Sequence, residues 1–180
     1  MHNLFLTYYY FINKFDPHHL TKLNKKINII FRKYNNSYNV SYIKKISDFC
    51  KKRGTNFYVA NDFKVAMKVG ATGVYLPSFY RGLTHNNYKF RENFEILGSA
   101  HNLFELNNKK KQKVDVIFLS PFLKKKKTEL GIYGFLKLKK FTKKKVIALG
   151  GINKNNLSKV KLVKADGFAA IRYFTKKKAP

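Results

Sequence analysis

Eight short apolar runs recur along the chain, at Leu4 to Ile12, Ile27 to Phe31, Asn56 to Ala60, Gly73 to Leu76, Phe94 to Gly98, Val114 to Leu119, Lys145 to Leu149 and Gly167 to Ile171. About seven stretches between them repeat apolar residues at helical spacing. In the clearest, "NVSYIKKISDFCKKRG", Val40, Ile43, Ile46, Phe49 and Cys50 share one face. Strands that alternate with helices imply a parallel sheet with the helices outside it. Eight such units can close on themselves, so the expected fold is α/β, a compact (β/α)8 TIM barrel. Barrels of this kind run to about 250 residues, with about 200 near the lower limit; this chain has 180. The economy shows at the end, where only "TKKKAP" follows Phe174 and most of the last helix is missing. An open doubly wound sheet is the structural alternative, though it usually needs fewer strands.

The rest of the composition suits one domain over residues 1–180, with 44% hydrophobic residues and no linker to divide it. The charge is unusual, a formal +29 from 38 Lys and Arg against 9 Asp and Glu. Such a field attracts anions and binds nucleic acid through counterion release. The lysines, however, are spread over nearly every segment instead of forming a stripe along one groove, and an A/T-rich coding sequence favours the same residue types. No specific nucleic-acid partner is therefore expected. The single cysteine, Cys50, excludes an intramolecular disulfide and any multi-cysteine metal site, and the start "MHNLFLTYYYFINKF" reads as neither signal peptide nor membrane span. The expected setting is the cytoplasm, with no membrane partner.

In a barrel, function sits on the loops that follow the strands. Those loops begin at "VANDF", "YLPSFYRG", "LGSAHN", "LSPFLKKKKTELG", "LGGINKNN" and "IRYF" after the third to eighth runs. Gly150 and Gly151 stand between the seventh run and a polar, helix-like segment. Paired glycines there let backbone N–H groups face a phosphate, although Gly-Gly can also simply end a strand.

Six blocks carry a resemblance beyond architecture: "GATGVYL", "ILGSAHNLFEL", "VDVIFLSPF", "LGIYGF", "VIALGGINKNN" and "ADGFAAI". In this order they resemble successive blocks of the thiamine-phosphate synthase/TenI family over most of the chain from Asn61 onward. The resemblance implies a (β/α)8 barrel and, for the synthase branch, a defined reaction. Hydroxymethylpyrimidine diphosphate loses pyrophosphate, and the nitrogen of thiazole phosphate captures the resulting pyrimidine cation to form thiamine phosphate. Such chemistry needs charge neutralisation and alignment more than acid/base groups.

The resemblance also implies roles. Asn61 and Asp62 match an Asn-Asp pair in which the Asn contacts the pyrimidine diphosphate and the Asp ligates Mg²⁺; from the sequence alone Asp62 is also a helix N-cap. Ser99 matches a serine that contacts pyrophosphate. Arg32 matches the first residue of an Arg-x-Lys pair that grips the diphosphate, with Lys33 displaced by one position. Gly150 and Gly151 fall within the resembling block "VIALGGINKNN", and their position after the seventh run makes them the candidate phosphate-binding turn. After the sixth run, Lys124 and Thr128 stand in for a hydroxyl-rich segment that helps hold phosphates.

Two departures set limits. Tyr80 stands where synthases carry a second Mg²⁺-binding Asp, so the expected magnesium site is weakened. Pro121 stands where the tautomerase branch has a histidine, which argues against thiazole tautomerase. Three readings remain open: a thiamine-phosphate synthase acting on phosphorylated small molecules, a diverged member that binds a phosphorylated ligand without turnover, and a basic nucleic-acid-binding protein. Apolar surface left by the missing helix leaves room for a homo-oligomer.

Overall fold

The computed structural model of the chain describes residues 7–32, 39–123 and 129–175. Eight strands alternate with helices: β1 (Thr7–Ile12), α1 (Pro17–Lys22), β2 (Ile27–Phe31), α2 (Val40–Lys52), β3 (Phe57–Ala60), α3 (Phe63–Lys68), β4 (Gly73–Leu76), β5 (Glu95–Ala100), α4 (Leu103–Lys111), β6 (Val116–Leu119), α5 (Gly131–Lys139), β7 (Lys145–Leu149), α6 (Leu157–Leu162) and β8 (Gly167–Ala170). Every strand pairs in parallel with the next, and β8 returns to β1, so the sheet closes into a barrel.

Strand alternation divides the apolar residues into two cores. One set points along the barrel axis and includes Tyr9, Phe11, Tyr58, Tyr75 and Phe118. The other points outward and receives the helices through Ile43, Ile46 and Cys50 of α2, Phe63 and Ala66 of α3, Leu106 of α4, Phe135 of α5 and Val160 of α6. A strand buried on both faces reads as a continuous apolar run, which is why β2, β4 and β7 coincide with the sequence expectation.

One connection differs from that expectation. Between β4 and β5 the described residues form no α-helix, only a 3-10 turn at Thr84–Asn87. Aromatic packing takes the helix's place. The Phe63 ring stacks on His85 at 4.4 Å between centroids and meets Tyr88 at 6.1 Å and Phe90 at 5.7 Å. At the chain end, Tyr173 and Phe174 cover Phe168 at 4.9 and 5.9 Å, and Phe174 reaches Tyr10 at 5.5 Å. Two rings thus cover outer surface of β8 and β1. Among the described residues no helix is long and apolar enough to cross a membrane.

The N-terminal rim carries a repeated device. Thr72, Asp115 and Asp166 immediately precede β4, β6 and β8, and each side chain accepts a backbone N–H from the strand before: Phe57 at 3.0 Å, Ile96 at 2.9 Å and Val146 at 2.8 Å. The side chain thereby fixes neighbouring strands in one register. Removing such an acceptor costs about 1–3 kcal/mol. Asp166→Ala is therefore expected to lower the unfolding free energy by that amount in urea titration, and Asp166→Asn, which keeps a carbonyl acceptor, by less.

Candidate functional site

The C-terminal ends of the strands form the opposite mouth, and most of the residues singled out from the sequence stand around it. Arg32 directly follows β2; its N–H donates to the Ile12 carbonyl at 2.8 Å, and its guanidinium lies 5.2 Å from the centroid of the Phe11 ring. Phe11 belongs to the axial core, so the cation rests on top of that core, where an attraction to the ring face favours it. Ser99, 3% exposed and one residue from the end of β5, pairs in register with Phe118. It shares the strand face of Leu97, which belongs to the axial core, so its hydroxyl faces the barrel axis.

Asn61 and Asp62 end β3 differently from each other. Asn61 has φ 63, a left-handed conformation that asparagine tolerates better than most residues, and its N–H donates to the Tyr75 carbonyl at 2.8 Å. Asp62 is the N-cap of α3, with Oδ1 accepting from the Val65 N–H at 2.8 Å. The cap occupies one carboxylate oxygen and leaves Oδ2 for another contact.

Gly150 and Gly151 follow β7 with φ 99 and 76, two consecutive left-handed residues that side chains would strain. A Cβ on Gly150 would also come within 3.2 Å of Pro121 Cα. The loop after β6 is tied beside them, with the Phe122 N–H donating to the Leu149 carbonyl at 2.8 Å and the Leu123 N–H to the Gly150 carbonyl at 2.9 Å. Among the described residues no acceptor engages the N–H of either glycine. Lys33, Lys124 and Thr128, also expected at this mouth, lie outside the described residues.

Tyr80 does not substitute for a metal-binding carboxylate. Its ring packs toward Phe63 and His85, 6.4 and 6.3 Å away, and burial raises its pKa, so it stays a neutral phenol. His101 is held by Glu105, whose Oε2 accepts the His101 N–H at 2.7 Å and lies 3.3 Å from Nδ1. That is a positioned histidine at the start of α4. Burial pushes the Cys50 thiol up to about 12, which makes it an inert core group.

Among the described residues no three His, Cys, Asp or Glu side chains gather as a metal cage. A donor set of one carboxylate, Asp62, still fits Mg²⁺, because that ion is commonly held by one or two carboxylates together with substrate phosphates.

A further group of residues shapes this mouth and escaped the sequence reading. Lys109 of α4 is fully buried, and its Nζ donates to the Pro77 carbonyl at 2.8 Å, the Tyr80 carbonyl at 3.2 Å and Gln112 Oε1 at 2.9 Å. Gln112 Nε2 donates to the Tyr80 and Gly82 carbonyls, both at 3.0 Å. Together they clamp the loop after β4. Lys109 lies within the run "NNKKKQK", where the residue type gives no sign that one lysine points inward.

The fold is a compact, closed (β/α)8 barrel, the class in which residues on the loops after the strands meet at one mouth. A family model described as thiamine monophosphate synthase, TMP-TENI, matches residues 22–174. The chain belongs to that family. A thiamine-phosphate synthase from Prochlorococcus marinus is 30% identical over 129 residues, 69% of this chain and 37% of that protein. The chain thus matches little more than a third of that relative's length. Among solved structures, a thiamine phosphate pyrophosphorylase from Pyrococcus furiosus superposes with a TM-score of 0.76 at 22% identity, covering 94% of this chain and 86% of the other. The corresponding protein from Bacteroides thetaiotaomicron gives 0.62 at 18% identity, covering 92% and 82%. FabK from Thermotoga maritima gives 0.69 at 13% identity, covering 95% and 60%. At these identities the structures show a shared fold.

The Lys109 clamp has a pH signature. Burial, with a smaller push from Arg81 and opposed by Glu105, lowers the Lys109 pKa to about 8. Between about 8 and the ordinary lysine value, the folded chain has shed a proton that the unfolded chain keeps. This group therefore adds stability as pH rises through that window. Urea unfolding below and above the window is expected to show the wild type gaining on Lys109→Met with rising pH; a difference independent of pH contradicts a buried, desolvated ammonium.

Proposed function

We propose that the chain is a thiamine-phosphate synthase, which condenses hydroxymethylpyrimidine diphosphate with thiazole phosphate and releases pyrophosphate. The observation that carries this reading is the meeting at one mouth of three features: the Arg32 cation over Phe11, the Asn61–Asp62 pair, and two glycines whose N–H groups no chain acceptor engages. The reaction breaks the bond between the pyrimidine methylene and the diphosphate oxygen, and the thiazole nitrogen then forms the new C–N bond. Negative charge develops on the departing pyrophosphate, where Arg32 and the Ser99 hydroxyl neutralise and bind it. Asn61 orients the pyrimidine, and the N–H groups of Gly150 and Gly151 hold the phosphate of the thiazole, so that the two rings approach in line. Mg²⁺, where bound by Asp62 and the diphosphate, supplies further charge neutralisation. A single carboxylate at this site is expected to hold the metal more weakly than a two-carboxylate site would.

The second reading, a phosphorylated-ligand binder without turnover, draws its support from Tyr80, which lies in the aromatic packing around Phe63 where a second acidic ligand is expected. One assay separates the two. The protein is mixed with both substrates and Mg²⁺, and thiamine phosphate is followed as fluorescent thiochrome. Loss of one group that stabilises developing charge costs about 10²-fold in rate. Arg32→Ala and Asp62→Asn are expected to lower kcat/KM by about that factor. The asparagine keeps the N-cap, so its effect reports charge and not helix stability. Bound substrate without product supports the non-catalytic reading.

A further inference from the structure

The N-terminal end of the barrel holds a cavity of about 440 Å³, lined among others by Tyr9, Asn28, Tyr58, Glu95, Asp115 and Lys143 to Lys145. Its size lies within the roughly 300–1,000 Å³ of small-molecule sites. The axial aromatic core separates it from the mouth where Arg32 sits. Phe118 meets Tyr9, Tyr75 and Phe11 at 4.9, 5.5 and 6.3 Å between ring centroids, a layer of packed rings across the barrel axis. Nothing in the proposed reaction uses this end.

Three features of the cavity point to a ligand. Asn28 and Tyr9 are only 7% and 4% exposed and line the cavity, yet neither the amide of Asn28 nor the hydroxyl of Tyr9 has a hydrogen-bond partner among the described residues. Side by side on β1 and β2, both polar groups open onto the cavity and can bond a polar occupant. Glu95 adds a charge. Its Oε2 accepts the Tyr58 hydroxyl, but among the described residues it forms no ion pair, in a chain of formal charge +29. A carboxylate drawn partly out of water beside two tyrosine rings favours a cation. The exposed side chains of Lys143, Lys144 and Lys145 stand at the rim, and only Lys144 approaches a carboxylate, Asp115 at 3.8 Å. That rim repels a bare cation and attracts an anion.

We propose that the N-terminal mouth binds a small zwitterion, with its ammonium or amidinium toward Glu95, Asn28 and Tyr9 and its phosphate or carboxylate at the lysine rim. A simple metal cation does not suit the site, because it meets the lysines first and the second carboxylate of the lining, Asp115, already faces Lys144. A simple anion does not suit it either, because it gains the rim and leaves Glu95 unmatched.

Isothermal titration of the full chain tests this with O-phosphoethanolamine and β-alanine as zwitterions carrying phosphate and carboxylate. Ethanolamine and inorganic phosphate serve as single-charge controls. At least one zwitterion is expected to bind about tenfold or more tighter than both controls, a difference of about 1.4 kcal/mol, and the two zwitterions together show which anion the rim prefers. Glu95→Gln is expected to weaken binding at least about tenfold, with the unfolding midpoint measured alongside. Lys143→Gln and Lys145→Gln, both at exposed positions, are expected to weaken it severalfold without affecting folding. Asp62→Asn, at the opposite mouth, leaves it unchanged. The proposal is overturned if neither zwitterion exceeds the controls, if Glu95→Gln and the lysine variants bind like the wild type, or if Asp62→Asn alone abolishes binding, which would place the ligand at the other mouth.

Discussion

Eight short strands close into a ring only if the space inside is filled, and here aromatic rings fill it. Phe11, Tyr75 and Phe118 meet edge to face, with Phe11 5.1 Å from Tyr75 and Tyr75 5.5 Å from Phe118. Edge-to-face contacts satisfy the ring quadrupoles and fix the rings relative to one another. Everything else is placed by that packing. The strands around it carry Arg32, Asn61, Ser99 and Gly150 to one end of the barrel, and the Glu95 cavity lies at the other. Arg32 depends on it directly, because Phe11 is both part of the filling and the surface that supports the guanidinium.

The scarcity of acidic residues supports this division of labour. Of nine Asp and Glu in the sequence, Asp16 and Asp62 cap helices, Asp115 and Asp166 hold strand register, Glu105 holds the start of α4, and Glu95 receives the Tyr58 hydroxyl. A carboxylate is thus found mainly where geometry requires an acceptor. Lysine spreads over the surface with no such pattern, while Lys109 alone is fully buried among the described lysines. A dispersed charge of this kind raises the local concentration of phosphorylated ligands without itself forming a site.

The barrel was legible in the sequence because a strand buried on both faces is largely apolar, and eight such runs, β2, β4 and β7 among them at the expected bounds, alternate with helical spacing. The mouth was legible for a related reason. Polar residues and glycines that interrupt an apolar run mark where the strand meets solvent, as at Asn61, Asp62, Gly150 and Gly151. The link between β4 and β5 was not. Its aromatic residues can line a helix face or cluster around Phe63 in an irregular loop, and only the three-dimensional position of Phe63 decides between them. Lys109 was hidden in the same way, since an inward and an outward lysine are the same letter in a lysine run. The Glu95 cavity joins residues from distant parts of the chain, and no local pattern announces it.

The most direct measurement of the central claim, that the Arg32 mouth is where phosphate chemistry takes place, is a crystal structure of the chain soaked with pyrophosphate and Mg²⁺. The account predicts pyrophosphate within hydrogen-bond reach of Arg32 and Ser99, with the metal on the free oxygen of Asp62. Pyrophosphate bound only at the Lys143–Lys145 rim, with the Arg32 mouth carrying none, would contradict it.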